Sequence, residues 1–520
     1  MAALLQQRIR ALLDADASAT LAGIRRGIEK ESLRITPDGH LAQTPHPKAL
    51  GSALTHPYIT TDYSEALLEF VTPPTTNLQQ PLAFLDDLHR FVYNNIGDEI
   101  LWVNSMPCLM GPDSDIPIAD YGTSNVGLMK NIYRRGLGHR YGRAMQTIAG
   151  IHYNFSLPAE FWQLHQLLEK DQRPLQSYIS DRYFDLLRNF QRYSWLLLYL
   201  FGASPAICPS FMQGRGHDRL QALDKSLYTP YATSLRMSDI GYQNKAQSAV
   251  ELNYNDLESY VQSLTRAINT PDPEYEKIGV HVDGEYRQLN TNILQIENEY
   301  YSSARPKRSI ERGERPTLAL ERRGVEYIEM RALDLNPFEP VGIRERDLRF
   351  LDLFAVWCLL QESPELDETD LRATRDNIRQ VAYDGRNPEL EINRRGEAVR
   401  LHDWAERQLE QMQPIAELFD GLLGDRQYRD VLEEQRLRVA EPERTPSARV
   451  LAEMERRNQS FYEFAMDQAL LHRDHFLGRP LDPTKLGQFE HLASCSLEQQ
   501  HAREAEPEPP FEEYLAEYFR

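Results

Sequence analysis

Apolar residues at Leu4, Leu5, Ile9, Leu12 and Leu13, broken by Arg8, Arg10 and Asp14, recur at helical spacing, so residues 1–20 read as an amphipathic helix. The period then changes. Residues 24–35 read as a strand, closed by the turn signal Thr36-Pro37-Asp38-Gly39. A second strand is expected over 63–72, stopped by Pro73-Pro74, and a helix over 78–95. Residues 145–157 read as a strand ending at Pro158, followed by helices over 159–170 and 176–200. Further strands are expected within 278–301 and 317–335. From about residue 345 the pattern is helical and rich in exposed charge, over 344–361, 368–382, 398–423 and 447–471. The acidic, Pro-rich stretch 504–513 reads as a solvated extension closed by a short helix.

No short strand–helix repeat recurs, which disfavours a doubly wound sheet. The expected class is α+β, a mainly antiparallel sheet with helices around it. Residues 1–345 form the expected catalytic region and 346–520 a mostly helical one, the two being either separate or one continuous domain.

Composition narrows the function. The chain has 520 residues, is 41% hydrophobic and carries a formal net charge of −20, enough apolar content for a sizeable core. So acidic a surface opposes nucleic acid and anionic membranes. Apolar runs such as 195–200 are far short of the ~20 residues needed to span a bilayer, and the N-terminus does not read as a signal peptide. Cys108, Cys208, Cys358 and Cys495 are far apart, with no Cys-x-x-Cys pair. They read as four separate thiols in a reducing, cytoplasmic setting. No coiled-coil seam appears, so a monomer is expected.

Four segments carry candidate chemistry. In Gly27-Ile28-Glu29-Lys30-Glu31-Ser32-Leu33-Arg34-Ile35, strand alternation puts Glu29 and Glu31 on one face and Ile28, Lys30, Ser32 and Arg34 on the other. Two carboxylates on one face repel unless solvated, protonated or bridged by a cation. Near Asp62, a strand reading groups Glu65, Leu67, Glu69 and Val71, with Glu69 inside an apolar run where a carboxylate needs a partner. His152 and Asn154 share a face in the third segment, and Glu329 and Arg331 in the fourth. Mostly oxygen ligands with one imidazole suit Mg²⁺ or Mn²⁺ rather than structural zinc. Such Mg²⁺ commonly completes its shell with substrate phosphates, yet no Walker A loop is present. A carboxylate-rich metal-dependent hydrolase and a scaffold with merely superficial acids remain alternatives. Basic and aromatic stretches around 133–141, 233–242 and 296–308 offer Arg and Tyr groups to anionic substrates.

The motifs Arg26-Gly-Ile-Glu-Lys-Glu-Ser-Leu-Arg34, Glu65-Ala-Leu-Leu-Glu-Phe70, Tyr121-Gly-Thr-Ser-Asn125, Gly150-Ile-His-Tyr-Asn-Phe155, Leu294-Gln-Ile-Glu-Asn-Glu299 and Gly324-Val-Glu-Tyr-Ile-Glu-Met-Arg331 occur in this order. Over about residues 20–360 the chain resembles the glutamate–cysteine ligases of the proteobacterial type. The resemblance implies a glutamine-synthetase-like sheet and ATP-dependent formation of γ-glutamylcysteine from L-glutamate and L-cysteine, the first step of glutathione synthesis. It implies Mg²⁺ at Glu29, Glu31, Asp62, Glu69, His152 and Glu329, with Arg331 and Glu329 catalytic. Tyr133, Arg236, Tyr242, Tyr301 and Asn154 are then expected at the substrates, and Lys307 and Arg308 at the phosphates of ATP. Glutathione is the expected feedback inhibitor, and another ATP-dependent carboxylate–amine ligase is the nearest alternative.

Overall fold

The computed structural model describes residues 2–15, 17–241, 252–311 and 313–520. Its central element is a seven-stranded sheet. In chain order the strands are β1 (Arg25–Ile35), β2 (Ile59–Thr61), β3 (Leu67–Val71), β4 (Ile100–Leu101), β5 (Ile151–Ser156), β6 (Ala304–Lys307) and β7 (Tyr327–Leu333). They pair in the spatial order β6-β7-β5-β1-β3-β2, with β4 also on β1, and every pairing is antiparallel. The expected α+β class and mainly antiparallel sheet are therefore present.

Alternation makes the sheet two-faced. Ile28, Leu68, Phe70, Tyr153, Phe155, Ile328 and Met330 are all buried. They pack into one hydrophobic core that runs from Leu5 to Ala493 and includes the helices beyond residue 345. Arg26 and Lys30 on this face have specific partners. Arg26 meets Asp352 at 2.7 Å, and Tyr153 and Tyr428 donate to the same carboxylate at 2.8 and 3.2 Å. This fully enclosed group ties β1 and β5 to the helices Glu345–Leu360 and Gln427–Ala440. Lys30 sits 2.6 Å from Ser32 Oγ and 2.9 Å from His89, and burial drives its ammonium down to about 7.

Several boundaries differ from the sequence reading. Of the expected strand over 63–72 only β3 is strand; a turn separates it from β2, which lies ahead of that range. Glu65 lies in that turn, where its carboxylate accepts the N–H groups of His46 and Asp120 instead of joining Glu69. The strand expected over 145–157 begins only at Ile151, after the 3₁₀ turn Ala144–Thr147. Within 278–301 the regular strands are only His281–Val282 and Glu285–Tyr286, and 317–335 opens with the helix Pro316–Arg323. The helix expected over 176–200 is Leu175–Tyr193 followed by Trp195–Phe201. That over 447–471 breaks at Asn458, whose φ of 52° is left-handed. The hairpin Glu391–Arg394/Glu397–Arg400 and the helices Gln427–Ala440 and Pro483–Ala505 were not anticipated.

Two larger corrections concern the cysteines and the tail. Cys108 and Cys208, 100 residues apart, are joined as a disulfide, so they are not separate thiols; Cys358 and Cys495 are free. Spacing along the chain carries no information about that approach. The acidic tail is largely exposed and closes in a short helix, as expected, but it is also anchored at two points. Glu504 accepts the N–H of Thr123 at 3.0 Å and Glu508 that of Asn125 at 2.6 Å, at the start of the helix Asn125–Tyr141. Carboxylates there complement the unpaired N–H groups and positive end of a helix. Leu515 on the closing helix Phe511–Tyr518 packs with Met129 and Ile132. No helix among the described residues is long and apolar enough to cross a membrane.

Candidate active site

The other face of the sheet is polar, and strand register decides which charges meet. Glu29 lies opposite His152, and Glu31 opposite Glu69. Glu329 lies opposite Asn154 on one side and Arg305 on the other. Directly opposed residues of antiparallel strands present their side chains together. One surface therefore gathers Glu69, Glu31, Glu29, His152, Asn154, Glu329 and Arg305 from β3, β1, β5, β7 and β6. Ligand atoms of Glu29, His152 and Glu329 all lie within 4.8 Å of one another.

The contacts are specific. Glu329, 1% exposed, is straddled by Lys307 Nζ at 3.1 Å and Arg331 Nη1 at 3.0 Å. Asn154 Nδ2 donates to Glu29 Oε1 at 2.8 Å, and His152 Nδ1 is 3.2 Å from Glu29 Oε2. With the Nδ1 proton assigned to that bond, the Nε2 lone pair faces Glu31 at 3.9 Å. The Gly150 N–H donates to Glu31 Oε2 at 2.6 Å. A Cβ on Gly150 would come within 2.2 Å of Arg236 Nη2, so glycine allows the guanidinium to pass.

Electrostatics separate the carboxylates. Burial raises Glu329, yet Lys307, Arg331 and His152 together hold it well below the ordinary carboxylate range. Burial and Asp62 push Glu31 up to about 8, against the opposing pull of Arg236 and Arg331. Glu69 is raised well above its usual value by burial and then by Glu29, Asp62 and Glu31. Burial, then Arg331, keeps His152 below the usual imidazole value, which favours the neutral, ligating form. The two side-chain cations thus satisfy Glu329 and leave Glu31 and Glu69 crowded. Carboxylate oxygens with one neutral imidazole and a surplus of negative charge form a donor set that fits Mg²⁺ or Mn²⁺.

The remaining candidates divide. Asp62 is close enough to raise both Glu31 and Glu69. Arg236 is buried, its Nη2 donating to Arg331 O at 3.0 Å, and Tyr301 donates to Met237 Sδ at 3.0 Å beside it. Tyr133, on the helix Asn125–Tyr141, is raised by burial and then by Glu299, with Arg134, Arg305 and Asp62 also acting on it. Tyr242 lies outside the described residues. Arg308 does not join: it follows the end of β6 and faces half-exposed Glu326 at 3.8 Å. Arg305, buried opposite Glu329, was missed. Period-2 alternation was the available signal, since it pairs Lys307 with Arg305 rather than with Arg308. A cavity of about 830 Å³ lies elsewhere, between the outer side of the helix Asn125–Tyr141 and the hairpin at 281–286, and none of the candidate residues lines it.

Comparison with known proteins places this geometry. The family model for glutamate–cysteine ligase matches residues 9–381. The chain is 66% identical to the glutamate–cysteine ligase of Alcanivorax borkumensis over 99% of both chains. It is 50% identical to that of Azotobacter vinelandii over 100% of this chain and 98% of the relative. The crystal structure of glutamate–cysteine ligase from Francisella tularensis in complex with AMP superposes with a TM-score of 0.90 at 36% identity, covering 95% of this chain and 97% of that one. A bifunctional glutathione synthetase from Pasteurella multocida shares the fold, with a TM-score of 0.74 at 24% identity over 94% of this chain and 58% of that one. On the family match and on identity over nearly the full length, this chain belongs to the glutamate–cysteine ligase family.

Proposed function

We propose that this enzyme joins the γ-carboxylate of L-glutamate to the amine of L-cysteine, driven by ATP, in the first step of glutathione synthesis. The observation that carries this reading is the cluster Glu29–His152–Glu329, flanked by Lys307 and Arg331, on the polar face of an antiparallel sheet. A γ-carboxylate oxygen attacks the γ-phosphorus of ATP and ADP leaves. The cysteine nitrogen then attacks the acyl carbon of γ-glutamyl phosphate, phosphate leaves with that oxygen, and the amine gives up a proton. Mg²⁺, or Mn²⁺ in its place, would be held by Glu29, Glu31, Asp62, Glu69, His152 and Glu329. Bound there, it would screen the repulsion between the anionic phosphoryl acceptor, the γ-carboxylate, and a triphosphate.

The chain's own residues do the rest. Glu329 fixes Lys307 and Arg331, which neutralise the transferred phosphoryl group and the tetrahedral oxyanion. Arg236, Tyr301 and Tyr133 would form the cysteine pocket. Asn154 acts as a positioning residue, through its hydrogen bond to Glu29. The enzyme works as a cytoplasmic monomer, where ATP is supplied, with glutathione as its feedback inhibitor. Coupled ADP release, measured while omitting glutamate, cysteine, Mg²⁺ and ATP in turn, tests the reading. Full ADP release should need both amino acids and the metal. Product formation without nucleotide would instead identify a hydrolase.

A further inference from the structure

A second, smaller cavity of about 110 Å³ lies among the helices Leu175–Tyr193, Glu345–Leu360, Glu368–Asp384 and Leu401–Leu423 and the hairpin Glu391–Arg394/Glu397–Arg400. None of the residues of the acidic cluster lines it. In a chain of net charge −20 its lining is basic: Arg192, Arg394, Arg395 and Arg407 face a single carboxylate, Asp370.

The floor is polar and buried. Gln408 is 2% exposed, Trp357 1% and Arg192 7%. Both amide atoms of Gln408, the indole N–H of Trp357 and Arg192 Nε have no hydrogen-bond partner among the described residues. Leaving such groups unmet is unfavourable, so a merely structural cavity would be expected to carry apolar residues. Arg192 Nη2 is 3.4 Å from Asp370, and Arg394 is paired with Glu397 at 2.6 Å. At the exposed mouth, Arg395 and Arg407 take part in no ion pair among the described residues.

The hairpin holds one of these cations in place at a conformational cost. Arg395 and Gly396 form its turn with φ of 52° and 85°, a type I′ geometry in which Asn or Asp is the favoured first residue. The strand before the turn is fixed to the helix Glu368–Asp384 by two bonds between Asn377 and Asn393, at 2.7 and 2.8 Å. The arginine is therefore held at a rigid rim. The volume suits a molecule of a few heavy atoms, not a nucleotide. Guanidinium forks recognise oxyanions, and the Gln408 carbonyl oxygen requires a donor from the same ligand.

We propose that this cavity is a second, non-catalytic site for a small oxyanion that also carries a hydrogen-bond donor, the chemistry shared by hydrogenphosphate and a hydroxycarboxylate. The full chain is titrated with inorganic phosphate and, separately, with malate, in a buffer free of other oxyanions. Intrinsic fluorescence is the readout, because Trp357 and Trp404 line the cavity. Saturable binding of at least one probe is expected, and which probe binds distinguishes the sources. Arg395→Asn, a change the left-handed turn favours, and Arg407→Gln should each weaken it about tenfold or more. Basal ligase turnover should stay unchanged in both. Equal binding in parent and variants would assign the signal to the catalytic centre and overturn the proposal. So would the failure of both probes to saturate, which would leave a cavity that holds water only.

Discussion

Glu329 shows how one buried carboxylate is made usable. Its two oxygens each take a cation, from β6 and from its own strand, so it stays ionised at 1% exposure. Glu31 and Glu69 have no such private partners, and their protons are retained unless more positive charge arrives. Glu29 stands between these regimes, bonded to both Asn154 and His152. Replacing Glu29 by Gln should lower γ-glutamylcysteine formation by about 10²–10³-fold, the scale seen when a group that stabilises developing charge is lost. Thermal unfolding should change little, because removing one of several crowded charges relieves repulsion. Near-normal turnover at saturating Mg²⁺ would remove Glu29 from the site. At this scale alternation alone made Glu29, Glu31, His152 and Glu329 legible. Arg308, which the resemblance and not alternation suggested, follows the end of β6 and faces Glu326 instead of the cluster.

At the scale of elements, the helix Asn125–Tyr141 depends on segments far away in sequence. Glu508 accepts the N–H of its first residue and Glu504 that of Thr123 just ahead of it, and its side packs on Leu515. Local reading treated 504–513 as solvated because acidic and Pro-rich stretches cannot build a core by themselves. Docking onto a helix start changes that balance. Leu515→Ala should cost about 2–3 kcal/mol of local stability. Hydrogen exchange should then quicken both in 504–520 and in the first turns of Asn125–Tyr141. Unchanged exchange in the helix would show that the tail does not support it.

Across the whole molecule, buried histidines make the fold sensitive to acid. Burial depresses His46, His56, His165 and His472 to about 4 each. Their unfolded counterparts titrate near 6.5, so between these values the unfolded chain binds more protons. The stabilisation is present above about pH 6.5 and is lost as pH falls toward 4. These four histidines should each add to proton uptake on urea unfolding in that window, offset in part by protons released from Glu31 and Glu69, and a pH dependence unchanged when the four are replaced by Gln would refute the assignment. The Arg26–Asp352–Tyr153–Tyr428 group lies at the same scale. It joins β1 to helices more than 300 residues later in the chain, and removing one partner of such a buried pair costs about 3–5 kcal/mol.

The residue order alone determined the two-faced character of β1, the grouping of Glu29 with Glu31 and of Glu329 with Arg331, and the α+β class. Strand period is a local property, and these groupings need no contact between distant segments. Only the tertiary structure decided that Glu29 faces His152, that Lys307 and Arg305 rather than Arg308 reach Glu329, that Cys108 meets Cys208 and that the acidic tail caps a helix. Each of those depends on strand register or on the approach of segments tens to hundreds of residues apart. Register and approach are set by the summed packing of the core, which no short stretch of sequence contains.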